Sequence, residues 1–223
     1  MGITKKNASK IYSYIREVSI IIIGVAITLY ASQIVKSCQD KKDLKLQLNA
    51  MYYELEDNLN RLNEIIIYYD DLNSLKPYLT EIYNNPENID LEKHDHYRYI
   101  IAYAAPFSYK KNAYSMFVNS GVMKLLTDRE LLMDISECYS LLEITQDEHD
   151  KFTDMKINKL MKVYDTDTKK IMMNDGVDIL DPEYNYLLNF HLFTHTGFEA
   201  MDARDKIMIL LERMGYNIRQ KTK

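Results

Sequence analysis

His191, His195 and Glu199 stand four residues apart, and on a helix that spacing projects two imidazoles and a carboxylate from one face. These are ligand types for zinc or a similar ion, so the trio is the sharpest chemical candidate in the chain. Three ligands stacked along one helix cannot converge on a tetrahedral ion, however, and another element would have to bring a partner. Phe190, Leu192 and Phe193 around them favour ordinary packing. His94-Asp95-His96 has adjacent spacing, which points its imidazoles apart. Asp165-Thr166-Asp167 opens like a calcium loop, but Lys169 takes the next ligand position and Lys170 the position that needs glycine. The sequence has no Gly-rich phosphate loop, no Gly-x-Ser-x-Gly elbow and no recoverable Ser/His/Asp or Cys/His arrangement. Paired acids, Glu54 with Glu56 and Asp147 with Glu148 and Asp150, read as solvated helix faces. The expectation is a protein that is not an enzyme and carries no cofactor.

The run Val18 to Val35 decides where such side chains would sit. It is almost uncharged, bracketed by Arg16-Glu17 and Lys36, and with its backward extension over Ile11 to Ile15 it supplies the ~20 mostly apolar residues that cross a hydrocarbon core. A cleaved signal peptide is the rival, but Leu29-Tyr30-Ala31 makes a poor cleavage site. A run apolar on every face also argues against a soluble core helix. Basic residues tie across the span, with Lys5, Lys6, Lys10 and Arg16 before it and Lys36, Lys41, Lys42 and Lys45 after it. Long C-terminal domains translocate largely regardless of charge, so residues 1–17 are expected in the cytoplasm, 18–35 in the membrane and 36–223 outside as a helical domain. Gly24, Thr28 and Ser32 recur every four residues, a small-residue face on which two spans could associate.

Beyond the span the chain holds 24 basic against 32 acidic residues, a net of −8 that argues against nucleic acid as a partner. Two cysteines, Cys38 and Cys138, are too few for a disulfide scaffold or a four-thiolate metal site. From Asp40 to Lys76 the apolar residues repeat every seven, with Leu48, Leu55, Leu62 and Tyr69 on one line and Met51, Ile65 and Leu72 on another. Asn58 interrupts that seam. No Gly or Pro separates the seam from the span, so one helix is expected from the membrane through a stalk at 36–76, ending at Pro77. The stripe would pack against later helices of the same chain.

Those later helices follow from caps and breakers. A short piece spans Tyr78 to Tyr83, and Asp90 caps a helix through Ala105 that Pro106 ends. A helix from about Ala113 to Ser120 stops at Gly121. Thr127 and Glu130 form a capping box for a helix carried by Leu131, Ile135, Tyr139, Leu142 and Phe152 to about Lys170. Asp181-Pro182 starts a last helix, expected to reach Met214 before Gly215. No period-two run survives, so the fold class is all-α: a transmembrane helix continuing into a stalk that packs in an antiparallel helical bundle.

The segment Asn112 to Leu126, with Ser120-Gly121, then Asp128, Glu130-Leu131 and Cys138-Tyr139, resembles a bacterial family of uncharacterised single-pass membrane proteins. Glu17, Gly24 and Leu29 are placed in the membrane segment as in that family. Met116-Phe117 and the exit Tyr30-Ala31-Ser32-Gln33 depart from its pattern. The resemblance implies an inner-membrane protein with a periplasmic helical domain and no assigned activity. Its expected role is binding, as a scaffold or adaptor for envelope proteins or copies of itself, with the bilayer as its first partner. The rivals are a membrane-perturbing effector acting through oligomerised spans along Thr28, Ser32 and Gln33, and a metal-dependent enzyme centred on His191 and His195.

Overall fold

A computed structural model describes residues 5–84, 103–166 and 197–220. Its first helix, α1, runs without a break over Lys5–Asn84, 80 residues. An 18-residue window within it has a mean hydropathy of 2.2 and no buried residue, so one helix is long and apolar enough to cross a membrane. Ile20, Ile21, Ile22 and Ile23 stand out from the helix with nothing packed on them, whereas from Leu44 onward one face of the same helix is covered. Pro77 does not end α1 as its missing amide suggests; it sits inside, and Tyr78 to Asn84 continue the helix instead of forming a separate piece. Leu75 and Tyr78 are buried on either side of the proline, and the Thr80 hydroxyl donates to the Lys76 carbonyl at 2.8 Å. Packing there outweighs the one backbone bond that proline removes.

The remaining elements run down, up and down along α1. Residues 103–111 have no regular secondary structure and lead into α2, Asn112–Asn119, and a 3-10 turn, Val122–Leu125. Ala113 meets Glu54, Ser120 meets Gln47 and Leu125 reaches Leu44, so this connection descends toward the span. α3, Arg129–Thr166, climbs again, with Tyr139 at Glu54 and His149 at Tyr69. α4, Phe198–Gln220, descends, with Gly197 against Tyr69 and Gly215 against Tyr52. No strand occurs among the described residues, and the all-α antiparallel bundle expected from the sequence is the fold.

The core lies between α1, α3 and α4. Every apolar position of the predicted seam is buried, Leu55 and Leu62 completely, against Leu131, Ile135, Tyr139 and Leu142 of α3 and Ala203, Ile207 and Leu210 of α4. At ~25 cal/mol per Å2 of apolar surface removed from water, this burial holds the bundle together, and the exposed N-terminal segment of α1 takes no part in it.

Three further helix ends differ from the sequence expectation. The side chain that caps α3 is Asp128, whose carboxylate accepts the Leu131 amide at 2.9 Å; Thr127 is not the capping residue. Asp128 prevails because it also pairs with Arg213 of α4, which reaches Glu130 and Asp134 as well, so one carboxylate serves a helix start and an interhelical clasp. Among the described residues the last helix starts only after Gly197, whose φ of +77° breaks the predicted run from Asp181. A Cβ at Gly197 would lie 2.8 Å from Tyr69 Cδ2, so backbone conformation and close approach both demand glycine. Gly215 does not end α4, which passes through it to Gln220 with Tyr52 3.8 Å from where a Cβ would stand. Gly121 does close α2's turn, at φ +77°.

Candidate functional site

Residues 103–111 form a strap that is neither helix nor strand, so its backbone polar groups have no ladder of their own. Side chains from α1 and α3 supply one. The Asn58 carboxamide accepts the Lys110 amide at 2.7 Å and donates to the Lys110 carbonyl at 2.8 Å, pairing with that residue as a neighbouring strand would. Arg61 donates to the Ser108 carbonyl at 3.2 Å, Gln146 accepts the Tyr109 amide at 3.3 Å, and Tyr68 donates to the Tyr103 carbonyl at 3.1 Å. Arg61 and Lys110 both pair with Asp57, and these hydrogen bonds hold the Asp57 carboxyl below its usual value.

At the upper end of the strap lie four titratable side chains. His149 Nε2 faces the Ala105 carbonyl at 2.7 Å, an oxygen with no hydrogen to give, so Nε2 carries the proton. Burial disfavours the charged ring, and in the neutral imidazole Nδ1 accepts the Tyr69 hydroxyl at 2.9 Å. The Thr153 hydroxyl lies 3.2 Å from Nε2. Burial holds His149 below the ordinary imidazole value, partly opposed by the Ala105 carbonyl. Lys156 donates to the Tyr68 hydroxyl at 2.7 Å and to the Tyr103 carbonyl, and lies 5.2 Å from the Tyr68 ring centroid. Burial alone pushes the Lys156 ammonium down to about 7. It also raises both tyrosines well above the usual phenol value.

A lysine that deprotonates near neutrality is a nucleophile or base when a reactant can touch it. Lys156 is 3% exposed, and the strap carbonyl it bonds lies against it, so any reactant would have to displace the strap first. What the arrangement does is hold irregular backbone in the groove between α1 and α3. Three of the four buried polar side chains among the described residues, Asn58, His149 and Lys156, serve the strap.

Below the strap, Glu54 is no solvated acid. Its carboxylate accepts the Ala113 amide at 2.8 Å, the Tyr114 amide at 3.3 Å and the Tyr139 hydroxyl at 2.7 Å. α2 has no side-chain cap of its own, so a carboxylate from α1 supplies it across the bundle. The Tyr114 and Tyr139 rings stack with centroids 4.2 Å apart over the same spot. Glu54→Ala is expected to destabilise the domain by about 2 kcal/mol, with Glu54→Gln recovering part through its remaining acceptor. Urea unfolding of the full chain in detergent reads this, and equal stabilities for Ala and wild type would contradict the capping role.

His191 and His195 lie outside the described residues, as do His94, His96, Asp167 and Lys169. Glu199 is in the first turn of α4, which begins after the positive φ of Gly197. Among the described residues no group of three His, Cys, Asp or Glu side chains is placed to hold a metal ion. Gly24, Thr28 and Ser32 do share an exposed stretch of α1; nothing lies within 4 Å of a Cβ at Gly24, and the Thr28 hydroxyl donates to the Gly24 carbonyl at 2.9 Å. The predicted helix through Ala105 lies outside the described residues over 90–102, and Tyr103 to Ala105 are not helical. Asn58 was visible as a break in the seam, but nothing local to His149, Lys156 or Glu54 marks them as strap and cap ligands. No family model, curated protein or solved structure matches the chain.

Proposed function

We propose that the chain is a single-pass membrane protein of the bacterial inner membrane whose helical domain, on the outer side, acts by binding other envelope proteins as a scaffold or adaptor. The observation that carries the reading is the division of α1: bare and apolar over its 18-residue hydropathic window, then packed from Leu44 to Tyr78. A core helix of a soluble domain would be covered along its apolar run. The domain also leaves large apolar side chains uncovered, Leu46, Tyr53 and Ile67 on α1 and Met133 on α3, which suits a protein that meets partners. The resemblance over Asn112 to Leu126 points the same way. Self-association through Gly24, Thr28 and Ser32 belongs to the same reading, because their face is open.

Fractionation and reporter fusions test the membrane part. The chain is expected in the carbonate-resistant pellet, with a reporter after residue 220 active outside the cytoplasm. An aspartate at the centre of a span costs about 3 kcal/mol, so Ile23→Asp with Ile27→Asp should move most of the chain out of the pellet. Pelleting that ignores both substitutions would refute the span. Co-purification in mild detergent tests the binding part, and a chain that brings down neither a partner nor a second copy at stoichiometric level contradicts it.

A further inference from the structure

Gln33, Ser37 and Lys41 recur every four residues, as do Lys36, Asp40 and Leu44, and the two adjacent rows share one face of α1. Leu125, at the end of the 3-10 turn, closes this face into a groove of about 280 Å3. We propose that this groove binds the headgroup of a phospholipid, with the Lys36 and Lys41 ammonium groups on its phosphodiester. The inference rests on the membrane reading of residues 18–35 and adds a ligand to it.

Position along the helix supports this first. Lys36 directly follows the apolar run, and Lys41 lies six residues beyond Val35, about 9 Å along the axis. The headgroup layer extends roughly 5–8 Å past the hydrocarbon on each side, and a lysine stem reaches back several ångströms toward it. Both ammonium groups therefore sit at phosphate depth. The walls fit second: buried Leu44 and partly covered Leu125 offer an apolar surface to the glycerol end of a lipid, while the Ser37 hydroxyl and Gln33 amide offer hydrogen bonds. Charge fits third. Lys36, Lys41 and Asp40 leave the groove at +1, the complement of a single phosphodiester and not of a polyanion. Asp40 places a carboxylate beside it for a headgroup amine or hydroxyl.

The test uses the full-length chain in mild detergent, with lipid retention measured by native mass spectrometry after addition of phosphatidylethanolamine, phosphatidylglycerol or inorganic phosphate. Wild type is expected to retain phospholipid, K36Q/K41Q to lose about five-fold in affinity per lysine removed, and Lys151→Gln, on an exposed turn of α3, to retain it fully. Equal retention by wild type and K36Q/K41Q overturns the proposal. Inorganic phosphate that displaces the lipid at equal concentration overturns it too, because the site would then read free phosphate. Carbonate pelleting of the same variants separates the two levels: a pelleted chain with lysine-independent retention defeats this inference alone, whereas a chain missing from the pellet defeats the membrane reading beneath it.

Discussion

Asn58→Leu is expected to destabilise the domain by about 2 kcal/mol, because the Lys110 amide and carbonyl would both lose their partner in a part-buried setting. The sign of the effect is the decisive observable. An asparagine in a helical seam usually trades stability for register, and leucine at such a position stabilises. Asn58 is fully buried in line with Met51 and Ile65, so seam logic alone predicts a gain. Leucine keeps asparagine's branch at Cγ and its number of side-chain heavy atoms, so the substitution leaves no cavity. Chemical unfolding of the full chain in detergent measures the change, and hydrogen exchange at Lys110 should accelerate more than exchange at Leu132 in α3. A more stable Asn58→Leu variant would show that the strap does not depend on this rung.

Stability is expected to rise with pH from about 7 to about 9, the opposite of what the acidic composition suggests. Lys156 drives the rise: its folded value is about 7 against 10.5 when exposed, so between those limits the unfolded chain binds a proton that the folded chain lacks. Each pH unit crossed in that window adds up to about 1.4 kcal/mol, and below pH 7 both states are protonated and the slope vanishes. His149 acts similarly at lower pH: its folded value is depressed, so stability falls as pH drops through the ordinary imidazole range near 6.5. The ceiling comes from groups shifted the other way. Burial raises the Cys138 thiol from 9.0 to about 12 and raises the Tyr68, Tyr69 and Tyr139 phenols, so above pH 9 to 10 the unfolded chain releases protons that the fold retains. Thermal melts from pH 5 to 11 should therefore peak near pH 9. Lys156→Met should flatten the segment from 7 to 9, and an unchanged slope in that variant would remove Lys156 as its cause.

The parts of this fold written in local periodicity were legible before any coordinates. Leu48, Leu55, Leu62, Tyr69, Met51, Ile65 and Leu72 recur every seven residues because each meets the same face of its surroundings, and all seven are buried. Gly121 was legible too, since a positive φ leaves its mark in one residue. Pro77 and Gly215 misled for the opposite reason: breakers act through local cost, and tertiary burial beside Leu75, Tyr78 and Tyr52 outweighs it. Asp128 displaced Thr127 as cap through a partner 85 residues away, and local spacing carries no record of Arg213. The strap is the extreme case. Its ligands come from Asn58, Arg61, Gln146, His149 and Lys156, and no repeat in the sequence connects them. Glu54 read as a surface acid because its three hydrogen-bond donors lie 59 to 85 residues downstream.

That dependence orders assembly in time. While the chain is being made, residues 103–111 emerge after Asn58, Arg61 and Tyr68 but before Gln146, His149 and Lys156, so the strap meets only one of its two walls. Half of its rungs must wait for about fifty more residues, roughly two to ten seconds at the usual ~5–20 residues per second. During that interval the apolar seam of α1 lies bare, and closure of the domain is set by the arrival of α3, not by the strap's own sequence.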